Sequence, residues 1–556
     1  MKLTNIFKTT AVALGAVVAL SGCIRETFPK ESTITEGQLL AGQAEVVAEN
    51  LLKGIPSGLM SYISGWEHTD FGYHSVGIYN DYACGLMVSN GWTLGLPAGY
   101  CRFYPAAYSW GYASNSAMPS HVWYNYYPQI KSCNDVIGLL DGNEQLKHYE
   151  GIARTYRAMM YIDLARMFEC LYAENENNPN YESDQIRVAG LTVPIVDENL
   201  DEQGAKNNPR ATREEMFSFI FADLAKAEEC LAEYTPTSIT NPDLSVVYGL
   251  YARAYLWLGG FEDGLSGELP EGNDAYTKAA EYARLAINAH GGAIMSEAEW
   301  TSVSNGFNVA ASSWMWGLQH SVDTVINNLF QFTAHMALEA DYGYAPLSMP
   351  GVSSTDYDRL ASTDFRKKLM KGPNTSYAEM KPYTSMSEDE WDGLANYVFF
   401  KYRPAAGNRT EYKAAGAVTL PLMRCEEMYF IEMEAVTHTQ GNDAGWALLN
   451  QFMANRDENY VCPTNDIVDE IIFQKGIEFW GEGVKMYDMK RLDKGFKSAY
   501  KGTNYPADAR FVLNGRAPWW SYCIPKDETD MNKAVAAQGA NPNPSQAFTP
   551  ITGDIE

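Results

Sequence analysis

The 556-residue chain lacks most of the short patterns that name a chemistry. Its nine cysteines form no Cys-x-x-Cys pair, so zinc-ribbon and thioredoxin-like sites are without their ligand spacing. There is no HExxH zinc pair, no GxSxG elbow, no GxxxxGK[ST] phosphate loop and no EF-hand loop. The eight histidines are dispersed, and His68 and His74 fit neither common zinc spacing. Bases are scarce: 42 Lys and Arg face 69 Asp and Glu, for a formal net charge of −27, and no block of five bases occurs. That balance disfavours a free nucleic-acid binder, which must meet phosphates with excess cations. No low-complexity linker divides residues 130–530, so one large body is expected rather than a string of domains.

What is present begins at the N-terminus. Lys2 and Lys8 precede an apolar stretch, Ala11 to Leu20, too short for a helix that must cross a bilayer of about 30 Å. It suits the apolar centre of a signal peptide. Leu20-Ser21-Gly22-Cys23 then resembles a bacterial lipobox. Residues 1–22 are therefore expected to be a lipoprotein signal peptide, Cys23 the lipidated residue, and 23–40 a tether. Acyl chains on Cys23 would hold the protein on a membrane, and no later stretch approaches the roughly 18 apolar residues of a spanning helix. Outside the cytoplasm disulfides are permitted, and Cys84 with Cys101 is a candidate pair. Cys170, Cys230 and Cys425 fall in helical patterns, as small core residues do.

The expected body, 41–556, is mostly α. Ile152, Tyr156, Met159, Met160 and Leu164 recur at helical spacing. Thr212 and Glu215 make a capping box for a helix through Leu231. Val247, Leu250, Ala254 and Trp257 form another stripe, followed by Ala279, Ala283 and Ala286. Paired short helices with Ala at the contacts look like tetratricopeptide units, although their period is not clean. This helical-repeat core is expected at about 41–60, 130–290 and 420–480, with helices at Leu422–Val436 and Ile467–Trp480. Loop-rich segments are expected at about 61–129 and 291–419, with a few short strands in the second. A coil is expected at 502–556.

Aromatic residues are unevenly spread. Seventeen of the 66 residues from Tyr62 to Tyr127 carry rings, against 13% in the whole chain. Sugar C–H faces stack on such rings while hydroxyls need polar neighbours, and this segment interleaves the two. Tyr82, Trp92, Tyr100 and Trp110 are candidates for stacking, with Asp70, Asp81 or Asn90 as hydrogen-bond partners. Trp480, Trp519 and Trp520 lie near packing elements and are expected to be structural.

Several segments together resemble the SusD/RagB family of Bacteroidetes outer-membrane lipoproteins. They are RTYRAMMYIDLARMFE (Arg154–Glu169), REEMFSFIFADLAKAEECL (Arg213–Leu231), VYGLYARAYLWLG (Val247–Gly259), YTKAAEYARLAINA (Tyr276–Ala289), TDFRKKLM (Thr363–Met370), LPLMRCEEMYFIEMEA (Leu420–Ala435) and IIFQKGIEFWGEGVKMYDMKRL (Ile471–Leu492). Gln474-Lys475, Trp480-Gly481 and Trp314-Met315-Trp316 depart from the family's usual text. The resemblance implies a tetratricopeptide-like helical body with an irregular loop-rich subdomain. It implies a non-catalytic cell-surface subunit that binds oligosaccharide or polysaccharide and serves a SusC-like TonB-dependent β-barrel. It also points to Trp314, Trp316, His320 and Tyr342, with Asp341 and Tyr344, as a second ligand-side group. No cofactor is expected; calcium could bind among the acids, but no spaced ligand set shows it. A surface glycoside hydrolase, or a SusD-like binder of peptide or glycoprotein, remains an alternative on sequence alone.

Overall fold

The structure is a computed structural model that describes residues 44–61, 72–93, 117–140, 142–174, 181–325, 327–329, 331–544 and 549–552. The expected signal peptide, Cys23 and the tether lie outside these residues. The chain divides into two units, Met1–Glu49 and Asn50–Glu556. Of the first, only residues 44–49 are described, the start of the helix Ala44–Leu59.

The principal helices of the second unit are α1 (Tyr73–Ala83), α2 (Ala117–Leu140), α3 (Lys147–Phe168), α4 (Arg213–Leu231), α5 (Leu244–Gly259), α6 (Gly272–His290), α7 (Cys425–Gln440), α8 (Asn442–Met453), α9 (Ile467–Glu478) and α10 (Lys485–Arg491). From α2 to α8 each packs on the next, giving the stacked helix pairs expected of a tetratricopeptide-like array. Small residues set the spacing. Ala275, Ala279, Ala283 and Ala286 of α6 are buried, and a Cβ at Gly259 would lie 2.6 Å from the Tyr276 ring. Caps fix the starts: Thr212 and Glu215 close a reciprocal capping box on α4, and the Asp243 carboxylate accepts from the Ser245 and Val246 N–H groups on α5.

Strands are few. Among the described residues they form three antiparallel pairs: β1 (Val88–Ser89) with β5 (Pro350–Gly351), β2 (Leu191–Pro194) with β3 (Arg210–Thr212), and β4 (Trp314–Gln319) with β6 (Thr419–Arg424).

Three expectations need correction. Helices α1 and α2 occupy much of the segment read as loop-rich. In α2, Met118, Val122, Tyr126, Ile130, Cys133, Ile137 and Leu140 form a buried stripe at helical spacing, which outweighs the donor lost at Pro128 inside the helix. The element expected as a helix from Leu422 begins instead as β6, whose pairing with Trp314–Gln319 keeps it extended up to Arg424; α7 starts at Cys425. The C-terminal segment holds two short helices, Lys526–Met531 and Lys533–Gln538. Trp480, Trp519 and Trp520 are fully buried, and both Trp519 and Trp520 donate their indole N–H to the Ala83 carbonyl at the end of α1, at 3.1 and 3.0 Å.

The interior is ionic as well as apolar. Glu478, at the end of α9, is fully buried. It accepts from Arg366 (3.2 Å), Arg424 (3.1 Å) and Arg456 (2.9 and 3.0 Å). Burial alone would raise its pKa, but Arg456, Arg424 and Arg366 together hold the carboxyl well below the usual carboxylate range. Lys401 donates to the Glu478 and Trp480 carbonyls and to the Glu482 carboxylate. Burial is the main cause that brings its pKa down to about 8. A second cluster lies on α7, α9 and α10. There Arg491 bridges Glu434 (2.5 Å) and Asp488 (2.9 Å), and Lys475 pairs with Asp488 at 2.7 Å.

This second cluster yields a pH prediction. Burial raises the pKa of Glu434, but Arg491, with help from His438 and Lys475, overcomes it and holds the group at about 2, below its ordinary 4.5. A depressed carboxylate stabilises the fold above its unfolded pKa, and that contribution is lost as pH falls through the folded value. Glu434→Gln should therefore be a few kcal/mol less stable than the parent above pH 4.5, with the gap closing as pH drops towards 2. Denaturant melts of both proteins across that range check this; a gap that does not change with pH contradicts it.

Candidate ligand surface

The sequence-predicted site residues separate into three groups. Asp70, Tyr100 and Trp110 lie outside the described residues, as does Cys101 of the candidate disulfide; Cys84 is a free buried thiol whose pKa burial pushes up to about 12. Trp92 falls in the short helix Asn90–Thr93, but its side chain also lies outside the description.

The second group is interior, and these candidates are corrected to structural roles. Asp81 on α1 is fully buried. Its Oδ2 accepts from the N–H groups of Gly481 (2.5 Å) and Gly483 (3.4 Å). Burial is the first cause of its raised pKa, about 8. The two glycines it holds have positive φ, 85° and 76°, and Gly483 packs so close to Gly77 that a Cβ would meet its Cα at 2.4 Å. Tyr82 is 2% exposed. Asn90 donates to the Met349 carbonyl at 3.2 Å and accepts from Asn504 at 2.9 Å. Trp314 and Trp316 are both buried on β4. Trp316 packs edge-on against Tyr156 and donates to the Thr240 carbonyl at 3.0 Å. All five side chains are buried inside the protein, which is why they are read as structural.

The third group stays near solvent. His320 and Tyr342 are half-buried, and both meet the segment 412–418 that leads into β6. The His320 N–H donates to the Val418 carbonyl at 2.9 Å, and burial, followed by His74, lowers the imidazole pKa to about 3, so the ring is neutral. The Tyr342 hydroxyl lies 3.1 Å from Thr333 Oγ1, and its ring meets Tyr412 edge to face at 6.5 Å. Beside this pair, Arg409 donates to Asp341 at 2.6 Å and pairs with Glu390. The hydrogen bond from Arg409 is the first cause that holds the Glu390 carboxyl at about 2.

Half-exposed Tyr342 and Tyr412 beside an oriented Arg409–Asp341 pair place ring surface next to charged donors and acceptors. That combination suits a polyhydroxylated ligand with apolar C–H faces. Arg409 and Tyr412 were missed from sequence. They sit in Asn408-Arg409-Thr410-Glu411-Tyr412, a polar run with no motif, and acquire meaning only from residues about 70 positions earlier. Among the described residues no group of three His, Cys, Asp or Glu side chains could hold a metal ion, and no helix is long and apolar enough to cross a membrane.

Residues 104–256 match the SusD-like family model described as starch-binding, associating with outer membrane. The fold is similar to that of a SusD-like carbohydrate binding protein from Bacteroides vulgatus ATCC 8482, at 20% identity and a TM-score of 0.65, covering 89% of this chain and 97% of that one. It is also similar to a SusD superfamily protein from Bacteroides thetaiotaomicron VPI-5482 (17%, 0.62, covering 89% and 99%). A third similar structure is surface glycan-binding protein A from Bacteroides thetaiotaomicron in complex with laminarihexaose (15%, 0.61, covering 89% and 99%). A search by sequence among curated proteins finds no match. The family model matches residues 104–256, and across 89% of the chain the fold is that of these SusD-like structures.

The interior assignment of Trp316 makes a direct prediction. Trp316→Ala should cost about 3–5 kcal/mol of stability, as truncation of a fully buried indole does. Denaturant unfolding measures it; a change below about 1 kcal/mol would show that the ring is not part of the core.

Proposed function

We propose that this protein is a non-catalytic, lipid-anchored outer-membrane subunit. It captures an oligosaccharide or polysaccharide and delivers it to a SusC-like TonB-dependent β-barrel, with Cys23 carrying the lipid. The observation that carries the reading is the SusD-like fold across 89% of the chain, shared with a protein solved in complex with laminarihexaose. The starch-binding, outer-membrane description of the matching family model supports it. The described part of the ligand face is the Tyr342–Tyr412 surface with Arg409, Asp341 and His320. Trp92, Tyr100, Trp110 and Asp70 are proposed to complete it from the aromatic segment.

Recognition here works without chemistry on the ligand. Tyr rings offer apolar area with little side-chain entropy to lose, and the Arg409–Asp341 pair is held in place before a ligand arrives. Polysaccharide-affinity gels followed by calorimetry on the retained glycan test the reading. Binding to at least one neutral polysaccharide, with no new reducing ends on prolonged incubation, is expected. Tyr342→Ala with Tyr412→Ala should weaken that binding about tenfold or more, which corresponds to roughly 1.4 kcal/mol, and leave the melting temperature nearly unchanged. Absence of binding across neutral and acidic glycans, or release of product, would refute it.

A further inference from the structure

The excess of acid in this chain makes one concave surface stand out. Between α9, α10 and the short helix Ser354–Arg359 lies a polar cleft of about 220 Å³. At about 30 Å³ per water, that is space for roughly seven waters, on the scale of one sugar ring. Its charged lining consists of Arg359, Lys485, Lys494 and Lys497 against Asp356 and Asp469. The local balance is four bases to two acids, the reverse of 42 to 69 in the whole chain.

The four bases are not equally committed. Arg359 donates to Asp469 at 3.1 Å and to Glu470 at 2.6 Å, with its guanidinium 4.1 Å from the centre of the Phe473 ring. Lys494 lies 4.0 Å from Asp466. Lys485 and Lys497 line the cleft with no ion-pair partner among the described residues. Lys485 is half-buried and Lys497 exposed, so both keep ammonium donors for a ligand.

Glycines shape the cleft. A Cβ at Gly476 would lie 2.8 Å from Lys485 Cδ, so the bare backbone there leaves the lane in which the lysine stem runs. Gly85, at φ 71°, admits the Phe496 ring, which a Cβ would meet at 2.7 Å. Buried Ile472, Phe473 and Met489 contribute an apolar lining. Ammonium groups and apolar side chains lining one cleft suit a ligand with one charged substituent and a C–H face. Elsewhere the net negative field of the protein repels such a ligand, whereas the two lysines without ion-pair partners offer it donors here.

We propose that this cleft binds the acidic substituent of a sugar, a uronate carboxylate or a sulfate ester, apart from the Tyr342–Tyr412 surface. The inference rests on the glycan-binding reading and deepens it to acidic saccharides. Calorimetric titration of the mature chain with glucuronic acid, galactose 6-sulfate, glucose and sodium sulfate, at fixed ionic strength, tests it. The acidic sugars should bind and glucose should not. Lys485→Met with Lys497→Met should weaken that binding tenfold or more at an unchanged melting temperature, while Lys485→Arg with Lys497→Arg should retain most of it. Equal affinity for glucose and glucuronic acid, no effect of the Met variants, or sodium sulfate binding as tightly as the sulfated sugar would each overturn the proposal. Neutral polysaccharide bound by a protein that ignores acidic sugars defeats this inference alone; no binding of either kind defeats the glycan reading too.

Discussion

Everything in the second unit is organised around the carboxylate of Glu478. A fully buried charge is tolerable only when it is paired and its remaining hydrogen-bonding capacity is filled. Glu478 meets three guanidiniums from three separate parts of the chain: Arg366 from the irregular segment, Arg424 from the end of β6, and Arg456 from beyond α8. Apolar packing tolerates small slips. A carboxylate with three partners at fixed distances does not, because a shifted arrangement would strand at least one charge in the core. Lys401 adds a fourth tie by capping the carbonyls that follow α9. The knot thus locks the register between the helical array and the segment that carries the candidate ligand surface.

That segment is held along its length by further cations. Arg403 pairs with Glu339 at 2.7 Å, and Arg409 donates to the Glu339 carbonyl at 2.7 Å as well as to Asp341. The Tyr342–Tyr412 pair therefore sits on backbone pinned from both sides, and β6 then carries the chain into Arg424. The acidity seen in the composition thus has two fates. Part is paired inside, where it fixes geometry, and part is on the surface, where it sets the field against which the Lys485–Lys497 cleft stands out.

Much of the helical array was legible in the sequence because its signals are local. The Thr212–Glu215 box, the Val247–Trp257 stripe and the alanine face of α6 each depend on residues within one or a few turns. Helix α2 was hidden because its stripe runs through Pro128 and among rings that look like a surface segment. Trp314 and Trp316 were placed on the ligand side through the family resemblance; an indole serves a core as readily as a sugar, and only the pairing of β4 with β6 decides which. Arg409 and Tyr412 lie at the opposite limit. Their relevance comes from partners about 70 residues away, and no pattern in one sequence records such a meeting.

The bonds that close α1 have a consequence for how the chain is made. Asp81 Oδ2 accepts from Gly481 and Gly483, and the Ala83 carbonyl from two indoles more than 430 residues later. Closure of loops this long must precede the contacts that reward it, which makes for slow, late consolidation. A growing chain cannot complete its early helices until its last segments exist.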